Sequence, residues 1–170
     1  MHPVAQKIQP FIEALYPIIY IKSYEELKVD EIILELVQSE SKKVDEWDLS
    51  KTESLQDFLE PYILGTEKLD DVFLVIKDVH GYLASSHTEN QKIVALLKKL
   101  TLKILSDDEA AATIILVAPV LTIPIELEKY ITMVEVDLPD RQEVGVFIQE
   151  YLASYEQQLD PDELALLTNQ

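Results

Sequence analysis

Two apolar runs constrain this chain more than any other feature. They are "VFLVI" within residues 71–79 and "TIILVA" within 112–119. Each is rich in β-branched residues and too short for a buried helix, so each reads as a strand covered on both faces. A third run, "PIIYIKS" at 17–23, has the same character. "VDEWDL" (44–49) reads as a half-exposed strand and "MVEVDL" (133–138) as a further strand. Helical patterns separate them: "EELKVDEIILELVQSE", "SLQDFLEPYIL" ending near Gly65, "ENQKIVALLKKLTLKIL", the short "IELEKYI", and "RQEVGVFIQEYLASYEQ". Apolar strands alternating with helices predict an α/β fold with a parallel sheet between helical layers. Capping boxes are predicted at Ser23–Glu26, Thr88–Gln91, Asp140–Glu143 and Asp160–Glu163.

The chain has 170 residues, which sets one domain as the starting expectation. Its formal net charge is −18, from 14 Lys plus Arg against 32 Asp plus Glu. That balance repels phosphate backbones and anionic lipid, so nucleic acid and membranes are not expected partners. The basic cluster Lys98, Lys99 and Lys103 is expected on a solvated helix face. There is no cysteine, which excludes disulfides, thiolate metal sites and cysteine nucleophiles. The N-terminus lacks an apolar signal core, and a cytoplasmic or stromal location is expected.

In an open parallel sheet, ligands bind beyond the carboxyl ends of the strands. After the first strand a phosphate-binding loop would need glycines, then lysine and a hydroxyl residue. The three glycines are Gly65, Gly81 and Gly145, and none is there. Ser23 is instead expected to cap a helix, with Glu25 and Glu26 in its first turn, where phosphate would have to sit. The third strand ends "KDVH". A Mg²⁺–nucleotide site wants carboxylate oxygen at that strand end, whereas Lys77 supplies a positive charge. Asp78 is available to pair with Lys77 or a neighbouring loop, and His80 is a candidate proton carrier beside it. A surface ion-pair cluster is the simpler reading, and proton transfer by Asp78 and His80 the sharper one.

Other constellations are weaker. Ser85, Ser86 and His87 are neighbours in sequence only, which defines no triad. His80, His87 and Glu89 match no zinc spacing, and no metal or cofactor is expected. Trp47 and Tyr62 suit packing better than base stacking, because acid flanks Trp47. Arg141 is the only arginine; a surface pairing role suits it better than a charge donated to a neighbouring active site.

Four stretches also carry a family likeness: "YPIIYIKSYEELKVDEII", "VFLVIKDVHGYL", "TIILVAPVLTIPIELEKYI" and "VEVDLPDRQEV". In this order, over residues 15–158, the chain resembles the N-terminal degenerate domain of the AAA+ ATPases encoded by a conserved reading frame in cyanobacteria and plastids. The resemblance implies a RecA-like, AAA+-like three-layer sandwich with a five-stranded parallel sheet of order 5-1-4-3-2. It places Lys77 where working domains carry the metal-binding Asp, and Asp78 where they carry the water-activating Glu. It places Ala118-Pro119 at a sensor position that normally bears a polar side chain. It also implies a degenerate α/β domain over 1–158 and the start of an incomplete lid helix over 159–170.

Ser23, Glu26, Lys77, Asp78, His80 and Arg141 are therefore candidates for a degenerate site, with none expected to be catalytic. The leading expectation is a non-enzymatic domain that acts through protein contacts, as the N-terminal regulatory or scaffold part of a larger ATPase. Its partner would be a second AAA+ domain or a regulatory protein, and a homo-oligomer is compatible with the sequence. The alternative is a small-molecule or nucleotide-sensing domain whose strand-end crevice uses Ser23, Lys77, Asp78 and His80 without hydrolysis. An enzyme built on Asp78 and His80 is the third reading.

Overall fold

The apolar runs form strands where the sequence places them, with ends shifted by three residues or fewer. They are β1 (Ile18–Lys22), β2 (Lys43–Trp47), β3 (Val72–Lys77), β4 (Ala112–Ala118) and β5 (Ile131–Glu135). The structure is a computed structural model that describes residues 2–84, 87–136 and 141–154. The described strands make one five-stranded sheet in the order β2-β3-β4-β1-β5, with every pairing parallel. This is the order 5-1-4-3-2 read from the opposite edge.

The helices are α1 (Pro3–Glu13), α2 (Glu26–Glu40), α3 (Leu55–Leu64), α4 (His80–Ala84), α5 (Thr88–Ser106) and α6 (Arg141–Ser154). Side chains alternate across each strand, so every central strand feeds two cores. Ile18, Tyr20, Leu74, Ile76, Ile114 and Leu116 join the core that includes residues of α3, α4 and α5. Ile19, Ile21, Phe73, Val75, Ile115 and Val117 join the core built with α1 and α2. All of β3 pairs with β4 near the centre, which is why both strands are buried along their lengths as far as Lys77.

Several expected details need correction. α1 and the short α4 were not anticipated. α1 is capped by His2, whose Nδ1 accepts a hydrogen bond from the Val4 amide at 3.1 Å, and Pro3 follows at the first helical position. Its apolar positions Val4, Ala5, Ile8 and Ile12 are buried. The "IELEKYI" segment is a turn leading to one 3-10 turn (Glu128–Tyr130) rather than an α-helix. α5 begins at Thr88 with His87 at the cap position, where no side-chain capping bond forms. Lys103 is not simply solvated: its Nζ donates to the carbonyls of Tyr62 (2.8 Å) and Ile63 (3.2 Å) at the end of α3. A cation there satisfies orphan carbonyls and suits the negative end of the helix dipole. α3 then ends at Gly65, whose φ of 83° is a left-handed conformation that favours glycine.

The chain divides into two compact units, Met1–Val136 and Asp137–Gln170. The expected boundary at residue 158, the lid segment 159–170 and the Asp160–Glu163 box lie outside the described residues, as do Ser85 and Ser86. Asp140 of the Asp140–Glu143 box also lies outside them. No described helix is long and apolar enough to cross a membrane.

Leu116 is fully buried in β4 between β1 and β3. Leu116→Ala is expected to lower unfolding free energy by about 2–5 kcal/mol, read from urea denaturation at constant m-value.

Candidate functional site

The carboxyl ends of β1, β3 and β4 converge on one crevice. Ser23, Tyr24, Glu26, Lys77, Asp78, Val117, Ala118 and Pro119 line it, and its volume is about 250 Å³. Four of the expected site residues therefore meet: Ser23, Glu26, Lys77 and Asp78. His80 is not among the lining residues. The side chain of Arg141, at the start of α6, lies outside the described residues.

Each lining residue is set by its strand. Ser23 follows β1 and is 6% exposed. Its amide donates to the Ala118 carbonyl at 3.1 Å, extending the β1–β4 ladder by one rung. Ser23 consequently stays in the sheet and does not cap α2. Its hydroxyl accepts from the Glu25 amide at 3.0 Å, closing a local turn, and Glu25 occupies the cap position without a side-chain capping bond. The peptide groups that a phosphate loop would aim at an anion are thus partly spent inside the fold. Glu26 opens the first turn of α2, where the helix dipole favours its charge over a bound phosphate.

Lys77 ends β3 on the same sheet face as Phe73 and Val75, under α2. Register puts Glu46 of β2 on that face too, since Glu46 pairs with Val75. The Lys77 ammonium meets Asp30 of α2 at 2.6 Å and Glu46 at 3.1 Å, with its side chain only 13% exposed. Burial alone would lower the Lys77 pKa, but the hydrogen bonds and charges of Asp30 and Glu46 outweigh it and raise it above the usual lysine value. Lys77 thus joins three elements, α2, β2 and β3, at the carboxyl end of β3. Its partners are Asp30 and Glu46, neither of which was singled out, rather than Asp78.

Asp78 continues the ladder, its amide donating to the Val117 carbonyl at 2.9 Å, and then turns at φ 56°. Aspartate tolerates this left-handed conformation better than most residues. His80 starts α4, and its Nδ1 is buried without a hydrogen-bond partner. No described geometry brings Asp78 and His80 into a proton-transfer pair. After β4, Ala118 commits its carbonyl to Ser23, and the next turn is tied by the Tyr20 hydroxyl, which donates to the Val120 carbonyl at 2.7 Å. β1's last residue, Lys22, pairs with Glu135 of β5 at 2.6 Å. Among the described residues no group of three or more His, Asp or Glu side chains is placed to hold a metal. Trp47 packs in the core as expected, its indole N–H donating to the Glu53 carbonyl at 2.9 Å and its ring set edge-on to Tyr82.

Comparison with known proteins gives a family and a fold. Residues 4–136 match the SpoVK-like AAA ATPase N-terminal domain. Over 149 residues the chain is 30% identical to the uncharacterised AAA domain-containing protein ycf46 of Guillardia theta. That match covers 78% of this chain and 27% of the relative, so the chain corresponds to about a quarter of it. In fold, the chain is similar to a chain in the solved E. coli MS115-1 HORMA:CdnC:Trip13 complex. The TM-score is 0.66 at 12% identity, over 97% of this chain and 65% of the other, a likeness of fold alone.

Replacing Lys77 tests the three-way ion pair. Lys77→Met is expected to cost about 1–3 kcal/mol in urea denaturation, because it leaves Asp30 and Glu46 facing each other without their cation. Asp30→Asn should cost less, since Lys77 keeps Glu46. The raised pKa also sets a sign. The contribution of Lys77 is complete below the usual lysine value of 10.5 and disappears as pH rises through the higher folded-state value. The stability gap between wild type and Lys77→Met should therefore be flat at neutral pH and narrow only above pH 10.5.

Proposed function

The chain belongs to the SpoVK-like AAA ATPase N-terminal domain family, and on that premise we propose that it is a non-catalytic AAA+-like domain acting through protein contacts. It serves as the N-terminal regulatory or scaffold part of a larger AAA+ ATPase. The observation that carries this reading is Lys77: an ammonium bound by Asp30 and Glu46 stands where nucleotide hydrolysis needs a carboxylate for Mg²⁺. Two further observations support it. The turn after β1 has no glycine and leads to Glu26, which opposes an anion by charge. The turn after β4 offers Ala118 and Pro119, neither of which has a polar side chain.

The crevice argues against a small-molecule role. Its volume of about 250 Å³ falls below the roughly 300–1,000 Å³ usual for ligand pockets. Its one lysine is already paired, and His80 stands apart from its lining. The partner in this proposal is a second AAA+ domain or a regulatory protein, in the cytoplasm or a plastid stroma. The solved complex of similar fold holds several proteins, which accords with a domain of this shape serving in an assembly.

Calorimetric titration of the 170-residue chain with Mg²⁺-ATP tests the proposal. No saturable binding in the micromolar range and no phosphate release above blank are expected. Lys77→Asp should behave the same, because restoring one carboxylate leaves the turn after β1 without a phosphate cradle. Micromolar Mg²⁺-dependent binding or turnover by the wild-type chain would refute a non-catalytic domain.

A further inference from the structure

The outer face of α2 departs from the pattern its inner face sets. Val29, Ile32, Ile33 and Leu36 are buried, as expected for a helix lying on a sheet. The opposite face of such a helix is normally polar. Here Leu27 is 81% exposed and Leu34 is 56% exposed. They stand seven residues apart, two turns along one stripe, which is about 10.5 Å. Tyr24, 68% exposed, continues the apolar row ahead of the helix. Asp30 and Glu31 sit between the two leucines, three and four residues from each, and both are exposed. Over its length α2 carries Glu26, Asp30, Glu31, Glu35 and Glu40 against the single Lys28.

We propose that this face, with Leu27 and Leu34 framed by Asp30 and Glu31, docks a lysine- and arginine-rich amphipathic helix of a partner protein. The apolar spacing fits a partner that presents apolar side chains at i, i+3 or i+4, and i+7, the usual register for a helix laid against another. The charge decides among occupants. A second copy would bring Asp30 and Glu31 against the same groups, between two chains that each carry −18. An anionic lipid surface is repelled for the same reason. A basic helix gains from both features, since its apolar stripe covers the leucines while its cations reach the carboxylates. Asp30 also holds Lys77, which lines the strand-end crevice, so the docking face touches the crevice through this ion pair. This inference rests on the protein-contact reading above and names the surface and the chemistry of the contact.

The test uses the whole chain and a synthetic fluorescent Leu/Lys amphipathic helical peptide of about 20 residues. A scrambled peptide of the same composition is the control, and the readout is fluorescence anisotropy. The amphipathic peptide is expected to bind at least about tenfold more tightly than the scrambled one. Leu27→Gln combined with Leu34→Gln should weaken its binding by about tenfold or more while thermal unfolding stays unchanged. Glutamine keeps helix propensity and both sites are exposed, so folding is preserved. Glu31→Lys should weaken binding further, and Leu102→Gln with Leu105→Gln, exposed on α5, should leave it unchanged. Equal binding of both peptides, or wild-type binding by the Leu27/Leu34 variant, would overturn the proposal. So would a dimer in analytical ultracentrifugation that this variant converts to monomer, because the occupant would then be a second copy. A negative peptide result with no ATP binding removes this surface but leaves a non-catalytic domain; ATP turnover removes the underlying reading whatever the peptide does.

Discussion

β3 and β4 lie side by side at the centre of a parallel sheet, apolar on both faces, and the arrangement of the other strands and of α1 to α5 follows from covering them. Parallel pairing demands crossovers, and the crossovers deliver helices to both faces. One layer is built with α1 and α2, the other with α3, α4 and α5. The same pairing sends the carboxyl ends of β1, β3 and β4 to one edge, so that edge becomes the only place where three strand-end turns converge around the crevice among the described residues. In a nucleotide-hydrolysing domain this edge holds phosphate and metal. Here the sheet survives intact while its edge carries different chemistry.

Lys77 is the centre of that difference. The last residue of β3 faces α2 by the alternation that buries Phe73 and Val75, and it is positioned to receive charge from α2 and β2 at once. Asp30 and Glu46 supply that charge. The Lys77 ammonium is tethered to β3, and its two carboxylate partners hold it in place. The ladder bonds from Ser23 to Ala118 and from Asp78 to Val117 consume further polar groups that a ligand would need. Ser23, Lys77, Asp78 and Ala118 thus each carry a bond within the fold.

Most of the fold was legible because two-sided burial writes itself into sequence as unbroken apolar runs. The strands and their order, the latter through family resemblance, were readable on that ground. α1 was not, because its cap is a histidine and its short apolar stripe is interrupted by Pro10. Ser23 was misread as a helix cap because Ser-x-x-Glu is a strong local signal; the β1–β4 ladder overrides it by claiming the Ser23 amide. The crevice residues were legible as strand ends, but the partners of Lys77 were not. Asp30 and Glu46 come from two other elements, and only the helix's placement over the sheet brings them together. The period-2 alternation of β3 was the available signal, since it placed Lys77 under whichever helix covers Phe73 and Val75. Lys103 was misjudged for a related reason, its bond acceptors being backbone carbonyls that sequence does not mark.

A non-catalytic domain requires that the strand-end crevice be closed to nucleotide by the ion pairs of Lys77. Backbone amide spectra of ¹⁵N-labelled protein, recorded for Ser23, Asp78 and Ala118 while Mg²⁺-ATP is added, test it most directly. These three signals are expected to stay in place through millimolar nucleotide. Saturable shifts concentrated at these residues would contradict it.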